Sequence, residues 1–539
     1  MPRRGVRTRI TDSGGLLPAP EGGPPVRETY RCIWPETAGA MDGDHYRCLP
    51  VNISVAFQRT VDKDPDRMAL SDDRSSLSYA ALAGAASRAA RALQDGGAGP
   101  GDVVGILCEN RIPFVIWYLG ALLAGAEPAL LNVRFTAEEL SPLLALVRPR
   151  IVVADRDLAP RVRGTPARVL DAGRAATGAA TSRLPGIQAT SQACAALFFT
   201  SGTTGIPKAA RLSHRNLLHS AESYRRIFGL AGGVTLIAVP LFHVTGLIGQ
   251  WLPSVLAGGG VVLMPRFEAL AADEVMRRGQ VDFFFGVPTI FIRLLRVWEE
   301  RGVPPALMVA ASGGAPIPAT VLRALAVRAP GARIYNTYGM TEVASPATIL
   351  PAADTLSRPE SAGRPAPGVS LRVVDPSTLR DVGPGASGEL LIAGPMVMGG
   401  YHKNVDATRN ALLEDGRTYM RSGDVVRVDG NYVYVVDRLK DLINRGGEKI
   451  FGGEVEQALY RHPDVLEASV VGVPDPEWGE VVAAAVVYRG QPVDPERMRG
   501  FLKESLAAYK VPTRWRAEDE LPRNVNGKVD RRLVRGLFS

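Results

Sequence analysis

Nine consecutive residues, Thr200-Ser201-Gly202-Thr203-Thr204-Gly205-Ile206-Pro207-Lys208, carry the strongest chemical signal in the sequence. Hydroxyls and glycines gathered in one short loop present O–H and backbone N–H donors to phosphate oxygens, and the lysine adds a point charge. The loop follows an apolar run, Ala195 to Phe199, that reads as a strand. Its spacing is not G-x-x-x-x-G-K-[ST], so it is not a Walker-type P-loop. The bland alternative is a Ser/Thr/Gly surface turn, which leaves the ordered donors after a strand to chance. Gly383-Pro384-Gly385-Ala386-Ser387-Gly388 fits G-x-G-x-x-G, but it holds a proline and leads into a strand, so no helix N-terminus awaits a pyrophosphate there.

Lysine is scarce. Of 63 basic residues only eight are lysine: Lys63, Lys208, Lys403, Lys440, Lys449, Lys503, Lys510 and Lys528. The composition substitutes arginine wherever a plain positive charge suffices. Each surviving lysine therefore raises the question of what a broad planar guanidinium could not supply.

The elements that must position this chemistry alternate. Ser78 to Leu93 is an Ala-rich helix pattern, Val103 to Leu107 a short buried strand, Ile116 to Gly125 an apolar helix and Ile151 to Ala154 another strand. The alternation runs to about residue 350 and predicts an α/β fold, a large N-terminal domain of parallel-rich sheets flanked by helices. Beyond residue 365 the texture changes to short strands with Gly/Asp turns (Val369–Val374, Gly388–Ile392, Tyr419–Arg421, Asn431–Val436), a β-rich subdomain. A small α+β unit follows, with a helix near Gly453–Tyr460, strands at Val465–Val473 and Val481–Tyr488, and a helix at Glu496–Ala507. The expected division is an irregular or disordered extension over 1–50, a large domain over 51–437 and a C-terminal domain over 438–539. The extension holds seven Pro and seven Gly and no sustained period.

Composition narrows the function. The chain has 539 residues, too many for one core. Its net charge of +8 is modest and no long basic run appears, which argues against a nucleic-acid partner. Four cysteines without a CxxC pair, and no apolar segment of the secretory kind at the start, point to the reducing cytoplasm. Ile227 to Pro265 carries no formal charge and is long enough to span a membrane. Gly232, Gly233, Pro240, His243, Gln250, Pro253 and Gly258–Gly260 interrupt it, so it reads as strand, loop, short helix and strand inside a core.

With the phosphate loop as anchor, six further segments fall in the order found in one superfamily: Pro240-Leu241-Phe242-His243, Ser312-Gly313-Gly314-Ala315-Pro316, Tyr338-Gly339-Met340-Thr341-Glu342, Arg421-Ser422-Gly423-Asp424, Asp437-Arg438-Leu439-Lys440-Asp441 and Pro522-Arg523-Asn524-Val525-Asn526-Gly527-Lys528. From about Val51 to its end the chain resembles the AMP-forming acyl-adenylating superfamily, which includes acyl-CoA synthetases, aryl-CoA ligases, luciferases and peptide-synthetase adenylation domains. The resemblance implies two half-reactions. A carboxylate attacks the α-phosphate of Mg-ATP to give acyl-AMP and pyrophosphate, then a thiol, usually that of coenzyme A, displaces AMP. It implies ATP, Mg2+ and coenzyme A as cofactors. Lys528 would bridge carboxylate and α-phosphate, Thr341 would touch the α-phosphate, and Glu342, assisted by Thr200, would hold the metal ion. Asp424 would accept the ribose hydroxyls with Arg438 beside it. Gly314, Ala315, Pro316 and Tyr338, flanked by Asn336, Gly339 and Met340, would pack the nucleotide. Thr200 to Gly205 and Lys208 would cradle the phosphates. Lys440 matches a hinge about which the mobile C-terminal domain swings, and Gly446-Gly447 would leave room for the pantetheine arm. Ser422 stands where the family usually has Thr, Phe199 where Tyr is frequent and Gly452 where Pro is common; no catalytic group is lost.

The acid is less fully encoded. Peptide-synthetase domains carry a Phe-Asp pair that holds an ammonium group; here His243 follows Phe242, which disfavours an α-amino acid. His243 resembles a gating residue beside the acyl carboxylate, with a core histidine as the alternative. Phe283-Phe284-Phe285 offers a pocket wall suited to an apolar acid, aryl or medium-chain, although such a run is more often core. Arg293 is either a partner for a second carboxylate or a surface charge. The expectation is an acid–CoA ligase acting on a small carboxylic acid and spanning no membrane, its oligomeric state left open with a dimer as one option. The rivals are transfer to a carrier-protein pantetheine, an amine or another small nucleophile, and a non-catalytic nucleotide-binding regulator. Intact Lys528, Glu342 and Asp424 speak against the last.

Overall fold

Apolar residues set the layers. Val103–Leu107 and Ile151–Ala154 are buried at every position, as strands covered on both faces must be. In the computed structural model, which describes residues 30–31, 49–175, 184, 189–201, 207–279, 281–302, 305–523 and 529–539, the described strands fall into four sheets. One runs in the order Arg168–Asp171, Ile151–Ala154, Val103–Leu107, Glu127–Leu130, Cys194–Ser201 and Pro207–Ser213, parallel until its closing antiparallel hairpin. The second has a parallel centre, Arg333–Tyr338, Val309–Gly313, Phe283–Gly286, Val234–Ile237, Gly260–Leu263 and Met68–Ser71, with antiparallel strands at both edges.

Helices cover these sheets. Tyr79–Asp95, capped by Ser78, packs on Ile112–Leu123. They approach closely because Gly120 has no side chain: a Cβ there would lie 2.6 Å from Ala89 Cβ. The uncharged stretch from Ile227 resolves into strand, short helices and strand, its Trp251 and Leu252 fully buried. No helix among the described residues is long and apolar enough to cross a membrane.

The third sheet is antiparallel: Ser370–Val374, Gly388–Ala393, Thr418–Asp429 and Leu412–Glu414, with Tyr432–Arg438 paired to Thr418–Asp429. Here the expected short strand at Tyr419–Arg421 is corrected. It is a twelve-residue strand that runs on through Ser422-Gly423-Asp424. The register shift opposite Glu389–Leu391 absorbs the irregularity, and Glu389 holds it by pairing with Arg421 and accepting from Gly423 N. Tyr30–Arg31, inside the extension expected to be irregular, pairs with Leu371 and Ser370 at this sheet's edge.

The fourth sheet contains Glu448–Ile450, Ile443–Arg445, Gly479–Tyr488 and Val465–Asp475, with Arg514–Ala517 alongside. Helix Gly452–Leu459 packs on it. The helix expected to reach Ala507 stops at Lys503; Asp494 caps its start with Pro495 next, and the chain then turns through Ala508–Lys510.

Candidate active site

The site gathers at the C-terminal ends of parallel strands, where neighbours diverge and leave a crevice. Arg333–Tyr338 and Val309–Gly313 pair up to Gly313↔Thr337. The chain then leaves the second strand through Gly314, Ala315 and Pro316, all exposed, with Gly314 at a φ of +81°. Tyr338, half-buried at the end of its strand, donates its phenol hydroxyl to Asp424 Oδ2 at 2.6 Å. Arg438 Nε lies 3.2 Å from Asp424 Oδ1. Burial, then the Asp424 charge, hold the Tyr338 phenol well above its usual pKa, so it stays a donor. Asp424 is buried, and Ser422 helps to place it by donating to Leu390 O at 2.6 Å and accepting from Asp424 N at 3.1 Å. The serine at this position thus keeps a working hydroxyl. Asn336 Nδ2 is taken up by Ser361 O at 3.1 Å.

The phosphate loop grows from the hairpin Cys194–Ser201 and Pro207–Ser213, in which Thr200 opposes Lys208. Gly202, Thr203, Thr204 and Gly205 lie outside the described residues, as does Lys528. Lys208 Nζ sits 5.1 Å from the centre of the Tyr401 ring. The same tyrosine donates to Glu342 Oε1 at 2.8 Å. Glu342 is buried in the single turn Thr341–Val343 that follows Gly339 and Met340. Among the described residues Tyr401 is the one hydrogen-bond partner of its carboxylate. No group of three or more His, Cys, Asp or Glu among them could hold an ion. That donor set fits Mg2+, which commonly takes one or two carboxylates and completes its shell with substrate phosphates and water.

His243 occupies the position before a one-turn helix, Val244–Gly246, without a side-chain hydrogen bond to it, its ring 4.7 Å from that of Phe242. Sequence reasoning missed the residue that fixes this segment. Asn110 Nδ2 donates to Val239 O at 2.8 Å, and Asn110 Oδ1 accepts from Leu241 N at 2.7 Å. A lone Asn after a strand has no periodic signature. The Phe run is corrected from pocket wall to core: Phe283, Phe284 and Phe285 are each at most 1% exposed, packed on Phe228, Phe291 and Tyr224. Arg293 is exposed on its helix.

Gly446 and Gly447 form the two-residue turn between Ile443–Arg445 and Glu448–Ile450. Both have positive φ, 57° and 97°, as a tight hairpin of this kind requires. The glycines have a backbone reason beyond leaving space. A Cβ on Gly446 would also lie 2.7 Å from the Trp478 ring, whereas Gly447 faces open space. Lys440 is exposed in the turn Leu439–Asp441. Beside it Arg531, also missed, reaches Asp437 Oδ1 at 2.7 Å, Glu456 Oε1 at 2.9 Å and Asp441 Oδ2 at 3.4 Å. Asp437 Oδ2 accepts from Gly453 N at 3.1 Å.

Comparison with known proteins agrees with this geometry. The AMP-binding enzyme family matches residues 57–402, and the AMP-binding enzyme C-terminal domain matches residues 454–528. A 2-succinylbenzoate–CoA ligase of Geobacillus kaustophilus is 35% identical over 483 residues, 88% of this chain and 96% of the relative. A feruloyl-CoA synthase of an Amycolatopsis species is 35% identical over 480 residues, again 88% and 96%. The structure of o-succinylbenzoate CoA synthetase from Bacillus subtilis in complex with its acyl-adenylate superposes with a TM-score of 0.79 at 30% identity, covering 89% of this chain and 97% of that one. The same synthetase in complex with ATP and magnesium ion gives 0.79 at 30%, covering 88% and 98%. Fold and site together define an adenylate-forming acid–thiol ligase. The chain belongs to the AMP-binding enzyme family.

Proposed function

We propose that this ATP-dependent acid–CoA ligase activates an apolar carboxylic acid, aryl in preference to medium-chain, and passes the acyl group to coenzyme A in the cytoplasm. The observation that carries the nucleotide half is Asp424, buried and held between Tyr338 and Arg438 at the strand ends. Its two oxygens suit the two ribose hydroxyls. Gly314, Ala315, Pro316 and the Tyr338 ring flank the adenine. Thr200 to Gly205 and Lys208 hold the β- and γ-phosphates, Thr341 the α-phosphate, and Lys528 draws the substrate carboxylate onto it. Mg2+, held by Glu342 with Thr200, supplies charge neutralisation on the phosphate oxygens. In-line displacement at phosphorus needs groups aligned and charge offset more than it needs a covalent catalyst.

His243, presented by the Asn110-pinned segment, stands at the acyl side. With a histidine in place of the ammonium-binding Asp, and with relatives named for feruloyl, 2-succinylbenzoate and indoleacetate substrates, an aromatic acid without an α-amino group is favoured. We divide the chain at Asp437/Arg438. The unit over 438–539 turns about Lys440 between the half-reactions, exchanging Lys528 at the adenylate for the open Gly446–Gly447 turn, beside which pantetheine enters. Buried free thiols at Cys108 and Cys194 suit a reducing compartment.

The test is acid-dependent pyrophosphate release over a panel of aryl, fatty and dicarboxylic acids, with and without coenzyme A. Aryl acids should give the highest kcat/KM, and thioester should form only with coenzyme A present. Release without thioester would transfer the second half to a carrier protein or an amine; no release with any acid would overturn the proposal.

A further inference from the structure

Tyr401 has no part in the roles above, yet it touches two of the residues that carry them. Its hydroxyl donates to Glu342 Oε1 at 2.8 Å, and Lys208 Nζ lies 5.1 Å from the centre of its ring. The segment that bears it is tied to both sides. Ala210 bridges to Tyr401, Arg211 N donates to Gly400 O and His402 N donates to Ala209 O, all on the strand that starts with Pro207 and Lys208. Met398 N donates to Glu342 O at 2.9 Å, and Tyr401 N itself donates to Thr408 Oγ1 at 2.9 Å. The phenol is thus a fixed post between the phosphate hairpin and the turn that carries Glu342.

Two consequences follow from its chemistry. A hydrogen bond to one carboxylate oxygen fixes the rotation of Glu342 and leaves the other oxygen for a ligand. An aromatic face attracts an ammonium without neutralising it, so Lys208 is restrained while its N–H donors remain available. No ion pair joins Lys208 to Glu342, although both serve the same phosphates in the function proposed above. An acid in place of the ring would pair with Lys208 and cancel it. An aliphatic residue would let the lysine swing onto Glu342.

We infer that Tyr401 is a positioning residue for adenylation: it orients Glu342 towards the metal ion and keeps Lys208 apart from that carboxylate, so that both charges meet the phosphates of ATP and not each other. The inference rests on the assignment of Glu342 to the metal and of Lys208 to the phosphates.

The experiment compares Tyr401→Phe, which keeps the ring and drops the hydroxyl, with Tyr401→Leu, which drops both, and with Glu342→Gln. Binding of Mn2+ in the presence of a non-hydrolysable ATP analogue is read by electron paramagnetic resonance, beside the Mg2+ dependence of pyrophosphate release and thermal melting. Tyr401→Phe should weaken Mn2+ binding roughly 10- to 150-fold, the range for one hydrogen bond to a charged group, with the KM for the acid and the melting temperature little changed. Tyr401→Leu should show the same metal defect and, in addition, a raised KM for ATP. Wild-type Mn2+ binding in Tyr401→Phe, with Glu342→Gln weakened, overturns the inference and leaves the metal assignment intact. Wild-type Mn2+ binding in Glu342→Gln overturns the metal assignment and the inference with it.

Discussion

Tyr338 and Asp424 meet at 2.6 Å, phenol oxygen to carboxylate Oδ2, one on strand Arg333–Tyr338 of the parallel-centred sheet and the other on strand Thr418–Asp429 of the antiparallel one. The contact joins the residue proposed to flank adenine to the residue proposed to hold ribose. A carboxylate has about four acceptor sites, and the phenol and the Arg438 guanidinium meet different oxygens of this one.

Removing the carboxylate should therefore cost far more than removing the phenol. Asp424→Ala should weaken AMP binding about 10- to 150-fold, the worth of one hydrogen bond to a charged acceptor. Tyr338→Phe keeps the ring and should lose less than about tenfold. Titration calorimetry with AMP compares the two; equal losses would mean that Asp424 acts only through the tyrosine.

Lys528→Ala separates the half-reactions. Adenylate formation should fall by about 10²- to 10³-fold, the usual cost of removing one charge-stabilising donor from a polar transition state. Thioester formation from preformed acyl-adenylate should stay near wild type. Quenched-flow assays of each half decide; an equal loss in both would remove Lys528 from its assigned role.

Arg531 should be irreplaceable by lysine. Burial opposes its charge, but Glu456, Asp437 and Asp441 outweigh that and hold its pKa above the usual guanidinium value. Arg531→Ala strands Asp437 and Glu456, and breaking such a buried set costs about 3–5 kcal/mol. Arg531→Lys cannot span the fork and should recover only part. Hydrogen exchange of strands Val465–Asp475 and Gly479–Tyr488 should quicken in both variants, more in the alanine.

Gly446→Ala should damage the second half-reaction more than Gly447→Ala. Both force a side chain into positive φ, at about 1–2 kcal/mol, but only Gly446 also drives a methyl into the Trp478 ring. Pyrophosphate release without coenzyme A should hold in both variants while thioester yield falls, most in Gly446→Ala.

Acid should loosen the N-terminal part through His214. Burial lowers its imidazole from 6.5 to about 4, and its neutral Nδ1 accepts from Ile53 N at 3.2 Å. Below pH 6.5 the unfolded chain binds a proton there that the folded chain refuses until about pH 4, so stability falls across that window and is complete above it. Melting temperature should drop from pH 7 to pH 4.5, and His214→Asn, which can still accept from Ile53, should show a shallower slope. An unchanged slope would assign the acid sensitivity elsewhere.

Much of this was legible in the residues. Val103–Leu107 and Ile151–Ala154 appear as strands at the expected bounds, because uninterrupted β-branched runs between turn signals leave no other period. Asp424, which stands out in its segment, contacts Tyr338 and Arg438, which stand out in two others. What escaped is what depends on partners distant in sequence. Ser422-Gly423-Asp424 looks like a turn until Glu389 on the neighbouring strand holds it in line. Phe283–Phe285 looks like a pocket until Tyr224, Phe228 and Phe291 close over it. Tyr401 is one tyrosine among 14. Arg531 is camouflaged by the bias that makes nearly every cation of this chain an arginine, the reverse of the lysine argument: scarcity points to lysines with a task, but abundance hides the arginines that have one.

The hairpin of Thr418–Asp429 and Tyr432–Arg438 pairs Asp424 with Arg438 and, one step along, Val425 with Asp437. The carboxylate proposed for ribose and the one gripped by Arg531 are thus neighbours on adjacent rungs of a single ladder. On the domain motion proposed above, a change at the nucleotide site has only a rung to travel before it reaches the Asp437–Arg531 contact. No relay through the interior is called for, and a change that stiffens or slips this ladder should disturb nucleotide affinity and domain posture together.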